Sequence, residues 1–193
     1  MHTSPLGVLI MFIVVFVPQW FDYLIVARVS QLKVRELSGD REMRQIGMAM
    51  IGSVWLAAAV GWFLTPLALP GSGWTWLIVG LLVMCSGVAL RYWSILTLGR
   101  FFRFVVDVQD DHRVITSGPY RLVRHPAYTG LVLIQLGFGI ATGNILSAAI
   151  CLAVPIIGLI PRIQHEEEAL EGSLGAEYRG YAAHTKRLIP LVW

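Results

Sequence analysis

Charge is what this sequence has least of. Only 14% of its 193 residues are charged, and Met1 to Ala27, Gln45 to Leu90 and His125 to Pro161 contain no lysine or arginine at all. With 56% hydrophobic residues and a mean hydropathy of +0.67, this excludes an ordinary soluble domain and implies a membrane protein. A dense basic stripe is also missing, so the net charge of +3 does not point to nucleic acid. Cysteine is scarce. Cys85 and Cys151 both fall in apolar runs, where they are expected as buried small hydrophobes with neither a disulfide nor a metal assigned to them. Repeats and low-complexity tracts are absent. The opening "MHTSPLG" has no positive n-region, and its apolar run is longer than a signal peptide's core, so a retained membrane helix is expected.

What is there is apolar length. Leu6 to Val26, Ile46 to Leu69 and Trp74 to Leu98 each match the ~20 residues a helix needs to cross a bilayer. A further run, Ala127 to Ile160, is too long for one helix, and "ATGN" (Ala141 to Asn144) interrupts it with helix-ending and turn residues. It reads as a hairpin with arms over 127–141 and 145–160, each roughly 21 to 24 Å long and expected to pack against the other helices.

All fifteen lysines and arginines lie in four clusters. These follow the first helix, end the third, fill the polar segment after it and follow the hairpin. Basic residues collect on the cytoplasmic side. The expected architecture is therefore one all-α polytopic domain over 1–193 with five transmembrane helices, the N-terminus outside and cytoplasmic segments at 28–44, 99–124 and 162–193. Asp22 and Arg91, ionisable residues placed within spans, are candidates to pair across helices.

The chemistry concentrates in "SGPYRLVRHPAYTG", Ser117 to Gly130. Pro119 and Pro126 bias Gly118 and His125 toward extended backbone, predicting a stiff, nonhelical approach to the fourth helix. Pro126 suits a first helical turn, whose backbone donors attract a carboxylate or phosphate. Arg121, Arg124, His125, Tyr120 and Tyr128 add cations, a donor or acceptor, and aromatic faces. That mixture suits a ligand with an aromatic base and charges of both signs, and it equally suits an interfacial belt that anchors a helix end.

Glu166, Glu167 and Glu168 follow the fifth span and point around a helix at about 100° intervals, so at most two face one ligand. They also suit a solvated helix start. Arg162, four residues before Glu166, either pairs with it at the surface or frames a pocket with it. The tail reads as two short helices broken near Gly172 to Gly175, with Tyr178 and Tyr181 on one face and Pro190 ending the second.

Taken together, "TSGPYRLVRHPAYTG", "EEEAL" and "LGAEYRGYAAHTKRLIP" resemble the isoprenylcysteine carboxyl methyltransferases, a family of integral membrane enzymes, over Thr116 to Pro190. The resemblance implies S-adenosylmethionine as cofactor, with S-adenosylhomocysteine as its product, and a lipophilic or prenylated carboxylate as substrate. It implies that His112, Arg113, Val114, Ile115, Tyr120, His125, Pro126, Ala127 and Tyr128 line the cofactor pocket. Glu166 or Glu167 would bind the cofactor's polar end, and Arg162 would meet the substrate carboxylate. Other readings are a sterol-reductase-like NADPH enzyme, a phospholipid N-methyltransferase and a non-enzymatic membrane scaffold. The reductase reading lacks its expected acidic-Lys-Cys tail run, and an amine acceptor would need a base that a carboxylate does not.

Overall fold

The computed structural model describes residues 5–30, 41–103 and 113–190. Six α-helices follow in order: α1 (Pro5–Ser30), α2 (Arg41–Phe63), α3 (Gly73–Leu98), α4 (Pro126–Ala141), α5 (Ile145–Leu174) and α6 (Ala176–His184). Among the described residues there is no strand, only two isolated bridges, Ala68 with Asn144 and Val123 with Lys186. By length and composition α2, α5, and α3 together with its 3-10 extension to Phe101 can each cross a membrane, and α4 is a shorter apolar helix. The chain is an all-helical membrane protein.

The shortest of these apolar helices is the central one. Eleven of the sixteen residues of α4 are buried, because α3 and α5 both pack on it. The α3 contact depends on paired glycines. A Cβ added to Gly80 would lie 2.5 Å from the Gly137 carbonyl oxygen, and one added to Gly87 would lie 2.7 Å from that of Gly130. Glycine spaced by seven residues on each of two antiparallel helices thus lets their backbones touch. In lipid, where apolar burial does not drive helices together, such close packing supplies the attraction.

Hydrogen bonds from polar side chains within the apolar helices reach the backbone of neighbouring helices. Gln135 Nε2 donates to the Met50 carbonyl at 2.9 Å, and Ser147 Oγ to that of Ala57 at 2.7 Å. The interruption read at "ATGN" is the α4–α5 turn. Gly143 takes φ 69°, and Asn144 Oδ1 accepts from the amides of Leu146 and Ser147.

Four expectations change. The arm expected over 145–160 runs unbroken to Leu174, through Pro155 and Pro161, because falling hydropathy marks where lipid ends and not where the helix does. The first of the two expected tail helices is therefore the outer half of α5, and the break falls at Gly175, φ 54°. The second, α6, ends at His184 rather than at Pro190, since the chain turns extended at Thr185 and Lys186 and Arg187 pair with the fourth-helix entry. Cys85 is exposed on the outer face of α3, while Cys151 is buried as expected. Arg91 is buried and its Nη1 donates to the Ala127 carbonyl at 3.2 Å; the Asp22 side chain lies outside the described residues.

Candidate active site

The approach to α4 is not the extended segment expected. Gly118 adopts φ 57°, a left-handed value that glycine takes without cost, and Gly118–Arg121 forms a 3-10 turn. This turn buries Pro119 and Tyr120 and drops Tyr120 Oη to within 3.4 Å of the Ser94 carbonyl, where it donates. His125 then precedes α4 at φ −121°, ψ 58°, and Pro126 begins the helix.

The C-terminal segment closes over this approach. Backbone amides of Arg124 and His125 donate to the carbonyls of Lys186 and Arg187 at 2.7 and 3.0 Å. Tyr181 Oη donates to the Tyr120 carbonyl at 2.7 Å, and Thr129 Oγ1 to that of Leu188 at 2.8 Å. The amides of Tyr128 and Thr129 meet the His125 carbonyl. Most of the donors expected to attract an anion at this helix start are thus engaged within the protein.

Two neighbouring glutamates have different surroundings. Glu167 is 13% exposed and accepts from Arg124 Nε at 2.8 Å, from Arg187 Nε at 2.9 Å and lies 3.2 Å from His125 Nε2. Burial alone would raise its pKa, but the hydrogen bonds from His125, Arg187 and Arg124 outweigh it and hold the carboxyl well below the usual range. The same carboxylate raises the pKa of Arg187 through their hydrogen bond. Arg124 further donates to the carbonyls of Ala182 and Thr185. Glu167 is thus the hub that ties α5, the α4 entry and the C-terminal segment together.

Glu166 instead faces a cleft, with its side chain 32% exposed. Tyr128 Oη donates to its Oε2 at 3.0 Å while accepting from Arg162 Nε at 3.4 Å. The His125 and Tyr128 rings stack at 5.7 Å, 23° apart. A cation, a phenol and a carboxylate therefore form one line along the cleft wall.

The cleft measures about 970 Å³ counted to its open mouth. Arg113, Val114, Ile115, Tyr120, His125, Ala127, Tyr128, Arg162 and Glu166 all line it. Pro126 and Glu167 do not, and His112 lies outside the described residues. Arg121 is exposed and apart from the cleft. Tyr178 and Tyr181 line it from α6. Burial pushes Tyr181 up to about 12 and Tyr120 and Tyr178 higher still, so all three remain protonated donors at neutral pH.

Sequence reasoning missed Phe101 and Phe102 at the end of α3, Met43 at the start of α2, and Leu170 and Leu174. The leucines had a signal. Arg162, Glu166, Leu170 and Leu174 are spaced by four and share a helical face, which becomes visible once α5 is continuous. The phenylalanines and Met43 had none, because their part in the cleft depends on how α2 and α3 pack.

A sequence profile of the isoprenylcysteine carboxyl methyltransferase family matches residues 78–172. Protein-S-isoprenylcysteine O-methyltransferase A of Arabidopsis thaliana is 31% identical over 135 residues, covering 67% of this chain and 68% of that protein. The chain belongs to the isoprenylcysteine carboxyl methyltransferase family. The probable protein-S-isoprenylcysteine O-methyltransferase of Oryza sativa subsp. indica is 34% identical over 116 residues, 59% of this chain, and this chain spans 61% of its length. The solved structure of a eukaryotic intramembrane Ras methyltransferase of the family superposes on 98% of this chain and 69% of its own, with a TM-score of 0.77 at 26% identity. The family match reaches back into α3, further than the Thr116 to Pro190 resemblance read from motifs.

Proposed function

We propose that this chain transfers a methyl group from S-adenosylmethionine to the carboxylate of an isoprenylated cysteine or a similar lipophilic acid, giving a methyl ester at the membrane–cytoplasm boundary. The observation that carries this reading is the single cleft where Arg162, Tyr128 and Glu166 line up beside a wall of aromatic rings. Family membership supports it.

The cleft suits the cofactor. Phe101, Phe102 and four tyrosines offer ring faces to a nucleoside. Glu166 supplies a negative charge for an ammonium or sulfonium centre. Tyr178 Oη is buried with no hydrogen-bond partner among the described residues, and an unmet buried hydroxyl of this kind costs about 1–3 kcal/mol until a ligand satisfies it. S-adenosylmethionine, when bound, supplies an electrophilic methyl group. Glu166, Tyr178, Tyr120 and the Arg113–Ile115 strip would hold it.

The remaining work belongs to the chain. A carboxylate acceptor with an ordinary pKa near ~4 is already ionised, so no general base is required. Arg162 holds and aligns it, and Tyr128 fixes the guanidinium relative to Glu166. The apolar surroundings strip water from the acceptor oxygen. Alignment of two reactants supplies roughly 7–11 kcal/mol of such a barrier. In the proposed topology five helices cross, the N-terminus is outside, and the cleft and C-terminus face the cytoplasm. The acceptor's lipid tail stays among the helices.

Calorimetry on the detergent-purified protein tests the cofactor assignment. Micromolar binding of S-adenosylhomocysteine, with none of NADPH, is expected; the reverse preference would replace this reading with a reductase.

A further inference from the structure

Arg162 is the largest of the fully buried side chains, only 1% exposed. A guanidinium in that position is tolerated only with a counter-charge. Its hydrogen bond to Tyr128 Oη is made to a neutral group. One negative charge lies on another helix: Glu42 Oε2, in the first turn of α2, is 3.6 Å from Arg162 Nη1. The second oxygen of the same carboxylate, Oε1, lies 2.8 Å from His165 Nδ1. Arg162 and His165 are three residues apart on α5, so Glu42 bridges two positions of one helical face. Its neighbour Met43 lines the cleft.

We infer that Glu42 is a positioning residue which sets the Arg162 guanidinium for the acceptor carboxylate, so that α2 controls recognition of the free acid without touching the cofactor. The inference rests on the reading of Arg162 as the acceptor contact. Glu42 balances the buried charge in the resting protein and fixes one guanidinium edge. His165, 58% exposed, restrains the carboxylate from the outer side. Without Glu42 the arginine keeps its charge and its Tyr128 contact but loses one of the contacts that orient it. Discrimination between an acceptor's carboxylate and a neutral isostere then falls, while cofactor binding is unaffected.

The test compares inhibition by, or binding of, S-farnesyl-N-acetylcysteine and its carboxamide in wild type, Glu42→Gln and His165→Ala, alongside S-adenosylhomocysteine affinity. Wild type favours the acid. Glu42→Gln is expected to reduce the acid-over-amide preference about tenfold, within the range of coupling seen for contacting charged residues. It raises KM for the acid more than it lowers kcat and leaves S-adenosylhomocysteine affinity within about twofold. His165→Ala, at an exposed site that does not threaten folding, should lower the preference about two- to threefold. An undiminished preference in Glu42→Gln overturns the inference. If that variant does not fold, an undiminished preference in His165→Ala does so. A wild-type protein that binds S-adenosylhomocysteine but shows no preference for the acid would overturn the acceptor reading itself, which separates the two failures.

Discussion

The α3–α4 seam and the C-terminal end of α5 meet at the same helix entry, yet they are built from opposite materials. At the seam, Gly80, Gly87, Gly130 and Gly137 contribute no side chain, and the contact is backbone against backbone. At and beside the cleft the side chains are long and charged: Arg124 and Arg187 both bond Glu167, and Tyr128 Oη links Arg162 to Glu166. The seam's strength comes from what it omits, so it is unforgiving of any added atom. Charges at the cleft are replaceable in part, because each has several partners. Within the ion cluster the same contrast recurs on a smaller scale: Glu167 is saturated by protein groups, whereas Glu166 is left facing open space.

Filling the seam should have the largest effect. Gly87→Leu places atoms inside the Gly130 backbone, and overpacking of this kind costs about 3 kcal/mol or more. Loss of monodisperse protein in detergent, or a steep fall in Tm, is expected; a normally folded Gly87→Leu would show that the helices can separate freely.

The next effect is that of Glu167→Gln, which removes the hub charge from three basic partners and should cost about 2–4 kcal/mol. It also carries a pH signature. Glu167 is held below its ordinary value of 4.5, so its contribution is complete above that pH and is lost progressively as pH falls below it. Thermal unfolding between pH 3 and 7, in about half-unit steps, should show a falling acid limb in wild type that is flatter in Glu167→Gln. Equal limbs would remove Glu167 from its structural role.

Glu166→Gln should invert that pattern. S-adenosylhomocysteine affinity is expected to fall about tenfold or more, with Tm changed little, because a partly exposed carboxylate contributes little to folding. A destabilised variant with unchanged affinity would make the two glutamates equivalent.

The smallest change is Tyr178→Phe. Its hydroxyl has no partner among the described residues, so the variant should be as stable as wild type or slightly more so, and should bind S-adenosylhomocysteine about threefold to tenfold more weakly. Reduced stability with unaltered affinity would place that hydroxyl in the fold and not in the ligand's path.

Much of this was legible before any coordinates. Apolar runs located the helices, since lipid demands length, and "ATGN" located the hairpin turn because glycine and asparagine have local jobs there. Of the nine residues that the motifs pointed to for a cofactor pocket, seven line the cleft, Pro126 does not, and His112 lies outside the described residues. What was hidden depended on long-range geometry. Whether Glu166 or Glu167 faces the cleft turns on the phase of α5, which becomes readable only when the helix continues past Pro161 and puts Glu166 one turn beyond Arg162. Arg124 read as a ligand cation and does line the cleft, but it is also bonded to Ala182, Thr185 and Glu167, which long-range packing alone brings to it. Glu42 carried no signal at all, because only the packing of α2 on α5 brings it to Arg162.

The most direct test of the account is methyl-ester formation by purified wild type and Arg162→Ala, given isotopically labelled S-adenosylmethionine and a farnesylated N-acetylcysteine in detergent or vesicles. The account predicts a base-labile ester from wild type and a loss of about a hundredfold or more in kcat/KM from Arg162→Ala, with S-adenosylhomocysteine binding retained. A folded, cofactor-binding wild type that makes no ester from any lipophilic acid, or an Arg162→Ala enzyme as active as wild type, would contradict it.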